Sequence, residues 1–287
     1  MPTMFRIAIL ASALATSRAH AVHDLDVSNE EGKCQLATSK AAVKFLKAKT
    51  GCVGKCIAGA RKVPPTSPEA DCYPPYGGAT LTCIADPVKG AEAKAIAAIA
   101  KACTQIPGGS IDCPECYAAR SGPADCSQWG QSLIVDGLNN PSGASLESQI
   151  DALGFVFCND NPNTAAENKC ELSLVKALVK FSGCNAKCYQ KCNVAAHTGA
   201  IPPGSCSPPS PSDGATYACL FDSIKGCDAK AIAACNKACV TPPADAPECY
   251  GFTCSSIVAL IQTAQDGIVP TIACGSPSGA FVQGAGA

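Results

Sequence analysis

The chain has 287 residues, with 22 Cys, 22 Lys+Arg against 23 Asp+Glu, and only 5% aromatic residues. Much of its 47% hydrophobic content is small, since 49 residues are Ala. This composition excludes a coiled coil, a disordered tail and a nucleic-acid binder that relies on bulk basic charge. So many thiols also exclude a reducing cytosol unless they are oxidised or bound to metal.

At the N-terminus, Arg6 precedes an apolar run over 7–15 and the small-residue site Ala19-His20-Ala21. That order reads as a secretory signal peptide over 1–21, cut before Val22, and places the protein outside the cell or in a periplasm. The run is too short to cross a bilayer, and no later segment reaches the ~18 apolar residues a span needs. The processed chain carries a net charge of −3 and keeps all 22 Cys. An even count in an exported chain implies disulfides. Zinc is the rival account, but only His23 and His197 remain after processing. Cys113-Pro-Glu-Cys116 is also the sole C-x-x-C, so no second pair completes a tetrahedron. No metal or other cofactor is expected.

After a polar segment over 22–32, the sequence repeats itself. The first copy spans 33–158 and the second 169–274, with a polar linker over 159–168 and a Gly/Ala-rich tail over 275–287. Lys33-Cys34-Gln35 matches Lys169-Cys170-Glu171, and Lys44-Phe45 matches Lys180-Phe181. Gly51-Cys52 and Lys55-Cys56 are aligned with Gly183-Cys184 and Lys187-Cys188. Further on, Lys94-Ala-Ile-Ala-Ala98 matches Lys230-Ala-Ile-Ala-Ala234.

Within each copy the strong signals are helical. Residues 33–60 lack Pro and are rich in Ala, Lys and Leu, with Thr50-Gly51 as the one point where the helix could break. At 100° per residue Lys33, Lys40, Lys44, Lys47, Lys55 and Lys62 share one face, and Cys34, Phe45, Cys52 and Cys56 another, with Lys49 intruding on the second. Pro/Gly-rich loops follow over 63–79 and 199–214. Second helices are expected to start at Asp86-Pro87 and Asp222-Ser223 and to end near Cys103 and Cys239. A weaker third helix covers Ser132–Leu138 and Ser256–Gln262, and Trp129, beside Cys126, is expected to pack on a bridge. The fold class is therefore mainly α: two tandem disulfide-rich helical-hairpin repeats with Pro/Gly-rich loops and little or no β.

If the first two helices of each copy pack antiparallel, Cys188 faces Cys239 and Cys192 faces Cys235. This predicts bridges Cys188–Cys239, Cys192–Cys235 and, in the first copy, Cys56–Cys103. Ala60 and Ile99 then replace both members of the second bridge. The remaining pairings are not deducible from spacing.

The run Lys33-Cys-Gln35, Lys40-Ala, Lys44-Phe45, then Ala91-Glu-Ala-Lys94 through Ile99-Ala-Lys-Ala-Cys103, resembles the exported cysteine-rich helical repeat proteins of deltaproteobacterial type. The resemblance covers most of both copies, although the second has Gly226-Cys-Asp-Ala-Lys230 in place of Ala-Glu-Ala-Lys. It implies export and repetition, and no activity is attached to it. Cys188-x3-Cys192 with Cys235-x3-Cys239 is similar to the α-hairpinin pattern of defence and protease-inhibitor peptides. The 42 intervening residues are too many for that group, and the likeness is read as convergent.

Three functions follow from these residues. The leading one is a non-enzymatic exported binding or structural module. Its partner would be extracellular or on a cell surface, and the lysine face (Lys33, Lys40, Lys44, Lys47, Lys55, Lys62) suits an anionic polymer. The second is a defence or protease-inhibitor-like protein acting through its Pro-rich loops. The third is a thiol oxidoreductase using Cys113 and Cys116. No hydrolytic or nucleotide-binding motif is present, and no catalytic residue is assigned. His197 is read as a loop histidine.

Overall fold

A computed structural model describes residues 29–103, 117, 129–136, 164–202, 204–239 and 253–272. Residues 1–21, read as a signal peptide, and Cys113, Cys116, Cys126, Cys158, Cys249 and Cys274 lie outside the described residues. The described part is mainly helical and contains no strand.

Helix α1 (Asn29–Ala60) runs without interruption past Thr50-Gly51, where the Thr50 hydroxyl donates to the Leu46 carbonyl at 2.7 Å. A short 3₁₀ turn (Glu69–Cys72) leads to α2 (Gly78–Ala85) and α3 (Ala91–Cys103). The turn α4 (Trp129–Gln131) continues as a π-helical segment to Asp136. Then come α5 (Ala165–His197), α6 (Gly214–Phe221), α7 (Cys227–Cys239) and α8 (Cys254–Ile272). Helix α5 starts inside the segment read as a linker. Thr164 accepts from the Glu167 amide at 3.1 Å while the Glu167 side chain returns to the Thr164 amide, a capping box spelled by Thr-x-x-Glu.

The closest pairs are α1 with α3 and α5 with α7, and α1 also packs on α5. Every fourth residue of α3 faces the first core: Ala91, Ala95, Ile99 and Cys103. On α7 the same positions are Cys227, Ala231, Cys235 and Cys239. Trp129 stacks on Tyr117, with ring centroids 4.3 Å apart.

The antiparallel arrangement holds, but its register differs from the one expected. Cys103 pairs with Cys34 and Cys239 with Cys170, both with a separation of 69 residues, in place of Cys56 and Cys188. Cys52–Cys83 and Cys188–Cys219 each have a separation of 31 residues. Cys56 bonds Cys72, Cys192 bonds Cys206, and Cys235 bonds Cys254 at the start of α8. The expected Cys188–Cys239, Cys192–Cys235 and Cys56–Cys103 bridges do not form. The reason is that the long connectors are themselves packed. The Cys72 turn with α2, and the Cys206 loop with α6, occupy the C-terminal turns of α1 and α5. The returning helix is therefore displaced toward the start of each long helix. Cys170 and Cys188 lie 18 residues apart, about five full turns, so both present the same face and periodicity alone does not choose between them.

This register also corrects the sequence alignment. Cys52 corresponds to Cys188, not Cys184; Cys235, which bonds Cys254, has Ile99 at its first-half position, and a further bridge without a first-half counterpart is Cys184–Cys227. The offset between Cys34 and Cys170 places Ala48 and Ala91 at its two ends in the first half.

The second helices start later than expected. Asp86 and Asp222 close α2 and α6 instead. Asp86 Oδ1 accepts from the Val88 and Lys89 amides at 2.9 and 2.6 Å, and Asp222 Oδ1 from the Ile224 and Lys225 amides at the same distances. These bonds hold both exposed carboxyls below the usual range. A Cβ on Gly90 or Gly226 would come within 2.5 Å of the Asp86 or Asp222 carbonyl, so only glycine ends this turn.

Peptide mapping of the unreduced protein should join Cys239 to Cys170 and Cys192 to Cys206; recovery of a Cys188–Cys239 peptide would overturn the register. Replacing Cys170 and Cys239 together by Ala should cost about 2–5 kcal/mol in denaturant unfolding.

Candidate functional site

Lysine placement is the first feature to test. Lys33, Lys40, Lys44, Lys47, Lys55 and Lys62 are all exposed along α1 and just past its end. On α5, Lys169, Lys176, Lys180, Lys187 and Lys191 are exposed as well. The other two basic residues of 33–62 do not join this face. Lys49 is 0% exposed, its ammonium 5.1 Å from the centre of the Tyr76 ring. Arg61 forms an ion pair with the fully buried Glu171 and also donates to Asn168, tying the end of α1 to the start of α5. Tyr73 lies beside this pair, and burial, reinforced by Glu69, pushes its hydroxyl up to about 12.

The six cysteines singled out from the sequence, Cys56, Cys103, Cys188, Cys239, Cys192 and Cys235, are all disulfide-bonded, with the partners given above. The sulfurs of Cys184, Cys188 and Cys227 lie within 4.8 Å of one another, a spacing compatible with a metal. All three are closed in bridges, however, and a disulfide sulfur offers no thiolate. His197 is the last residue of α5, not a loop residue.

A polar network between α5 and α8 was not anticipated. Asn185 Nδ2 donates to Gln262 Oε1 at 2.6 Å, and Gln262 Nε2 donates to Asp266 Oδ1 at 2.6 Å. The Tyr189 hydroxyl donates to the same Asp266 oxygen at 3.1 Å. Burial raises the Asp266 carboxyl to about 6 against these bonds, and Asp228 on α7 adds to the rise. Asp228 is itself raised by burial. The signal was present as Asn185/Tyr189 and Gln262/Asp266, two four-residue spacings on helices with apolar faces. It was missed because the third helix was expected to stop at Gln262.

Beside this network lies a solvent-open cavity of about 100 Å³ between α1, α5 and α8. Its apolar walls are Val43 and Leu46 from α1, Tyr189 and Val194 from α5, and Val269 and Ile272 from α8. Asn185 and Gln265 also line it, and their side-chain oxygens are buried with no hydrogen-bond partner. No Asp, Glu, Lys, Arg or His is among its lining residues. No helix of the described residues is long and apolar enough to cross a membrane. Comparison with protein-family models, curated proteins and solved structures returns no match to this chain.

The raised Asp266 pKa gives a pH dependence of defined sign. The folded protein binds this proton more tightly than the unfolded chain. The resulting stability is therefore full below about pH 4 and lost as pH rises through about 6. Thermal unfolding should show a fall in melting temperature between pH 4.5 and pH 7 that Asp266→Asn flattens. Equal slopes in the two proteins would remove Asp266 as its cause.

Proposed function

We propose that the protein is an exported, non-enzymatic binding module built from two disulfide-stapled copies of one helical unit. One observation carries the reading: among the described residues no cysteine is free. Each thiol has been committed to cross-linking, which favours an oxidising compartment and a scaffold over thiol chemistry. Shared bridge separations of 69 and 31 residues, and the matching turns at Asp86 and Asp222, support the two-copy reading. Export itself rests on the residues of 1–21 and on this cross-linking.

The exposed lysines favour an anionic partner outside the cell, such as a cell-wall polymer. Ten exposed lysines on α1 and α5, with Lys62 just past the end of α1, in a chain of net charge −1, concentrate positive potential that the total charge conceals. Binding of this kind weakens as salt rises, because exposed charges are screened over about 8–10 Å at physiological ionic strength.

Three assays separate this reading from its rivals. The oxidised protein should be retained on heparin at low salt and lose retention in Lys40/Lys44/Lys47→Glu, with disulfides intact by thiol titration. Retention unchanged by the triple substitution would exclude the α1 face as the partner surface. Turnover in insulin reduction, lost in Cys113→Ser, would replace the reading with a thiol oxidoreductase. Inhibition of a protease would replace it with a defence protein.

A further inference from the structure

The lysine surfaces and the α1–α5–α8 cavity differ in chemistry. The cavity is uncharged, walled by aliphatic side chains and the Tyr189 ring, and floored by amides. From these properties we infer that it binds a small neutral amphiphile: one ring or a short alkyl chain bearing a hydroxyl or amide N–H donor. The inference rests on the binding-module reading and supplies a ligand class for it.

Neutrality follows from the lining. An ionised group brought among these walls would lose its hydration and meet no counter-charge, which is costly. Size follows from the volume. A closed engineered cavity of ~150 Å³ takes up one benzene ring, and this site, at about 100 Å³ and open on one side, suits a fragment of that order.

The donor requirement follows from the hydrogen-bond chain. The Asp266 carboxylate accepts from Gln262 Nε2, which turns Gln262 Oε1 toward Asn185. Asn185 must then donate through Nδ2, and its own oxygen is left as an acceptor. The orientation of the amide is thereby set by a charged group two steps away, not by an arbitrary choice of nitrogen and oxygen. Asn185 is 1% exposed and lines the cavity, and its Oδ1 has no partner. Gln265 Oε1, one turn beyond Ile261 on α8, is in the same condition. A ligand O–H or N–H supplies these two buried acceptors with the donor that no protein group gives them. A ligand oxygen without a hydrogen does not.

The experiment compares three probes of nearly equal size on the full oxidised chain by ¹H–¹⁵N NMR titration. They are hexan-1-ol, its isomer methyl pentyl ether, and hexanoate. Hexan-1-ol should shift the amide signals around Val43, Tyr189 and Val269 and bind about tenfold more tightly than the ether. Hexanoate should not bind. Gln265→Leu, which leaves Asn185 Oδ1 as the acceptor, should narrow the alcohol's advantage over the ether to about threefold, and Ala186→Phe should abolish the shifts by filling the cavity. Should Ala186→Phe fail to fold, Val43→Met serves as the milder filling variant, with at least a fivefold loss expected.

Equal affinity for alcohol and ether in the wild-type chain overturns the donor requirement. Shifts confined to residues away from the cavity, or no shifts up to the solubility limit, overturn the site and leave it a hydrated cavity only. In those cases continued heparin retention keeps the binding-module reading standing. Loss of both heparin retention and probe binding in a folded, oxidised protein would remove that reading as well.

Discussion

The rest of the structure depends on the close antiparallel contact of a long helix with a short one, locked at one end by a disulfide. At Cys34–Cys103 and Cys170–Cys239 the Cα atoms are 4.7 and 4.8 Å apart. Such approach requires small side chains, and Ala91 and Ala95 on α3 and Ala231 on α7 supply them. The same smallness limits what burial contributes, since the hydrophobic term scales with apolar area. Cross-links compensate. In the chain-entropy account a bridge with a separation of 69 residues removes about 4 kcal/mol of unfolded-state freedom, and one with a separation of 14 about 3 kcal/mol. The long connectors then gain order by being tied to the helix they would otherwise leave, Cys72 and Cys83 to α1 and Cys206 and Cys219 to α5.

Polar contacts between α1 and α5 set how the two halves meet. Arg61 reaches Glu171 near one end, and Gln190 Nε2 donates to Ser39 Oγ at 2.6 Å toward the other. A buried ion pair recovers little net stability after desolvation, although breaking it by removing one partner is expensive. Its effect is on register: a slide of α1 along α5 would part the buried Glu171 from Arg61. The Tyr117 hydroxyl, donating to the Ile272 carbonyl, brings the end of α8 against the first core. The cavity lies among these contacts, with Ser39, Gln190 and Ile272 all at its edge.

What the sequence made legible follows from what periodicity measures. A 3.6-residue repeat reports the face of a helix, and the lysine face of α1 and the buried face of Phe45 and Cys52 were both readable. Height along the axis is a different quantity. Cys170 and Cys188 share a face and differ by about five turns, and only the packed volume of the connector decides between them. The additional bridge was misassigned for a related reason. Aligning Gly51-Cys52 with Gly183-Cys184 introduced a four-residue shift, about one turn, that keeps every cysteine on its face. Lys49 was visible as an exception but not explained, because its partner Tyr76 comes from a loop. The Asn185–Gln262–Asp266 chain needed the full length of α8.

The absence of charge from the cavity lining is a consequence of the same geometry. None of the exposed lysines of α1 and α5 is among the cavity's lining residues, and the Arg61–Glu171 ion pair lies beyond the end of α1, away from that lining. Ala42 and Ala186 stand at the seam between α1 and α5, where their small side chains leave space. The polar groups that border it cannot all be satisfied from within. Asp266 draws two donors toward itself, from Tyr189 and Gln262, and Asn185 aligns behind Gln262 with its oxygen left unpaired by protein groups. The Asp266 carboxylate thus gives a hydrogen-bond sense to a cavity whose own lining is uncharged, while the exposed lysines of α1 and α5 charge the exterior.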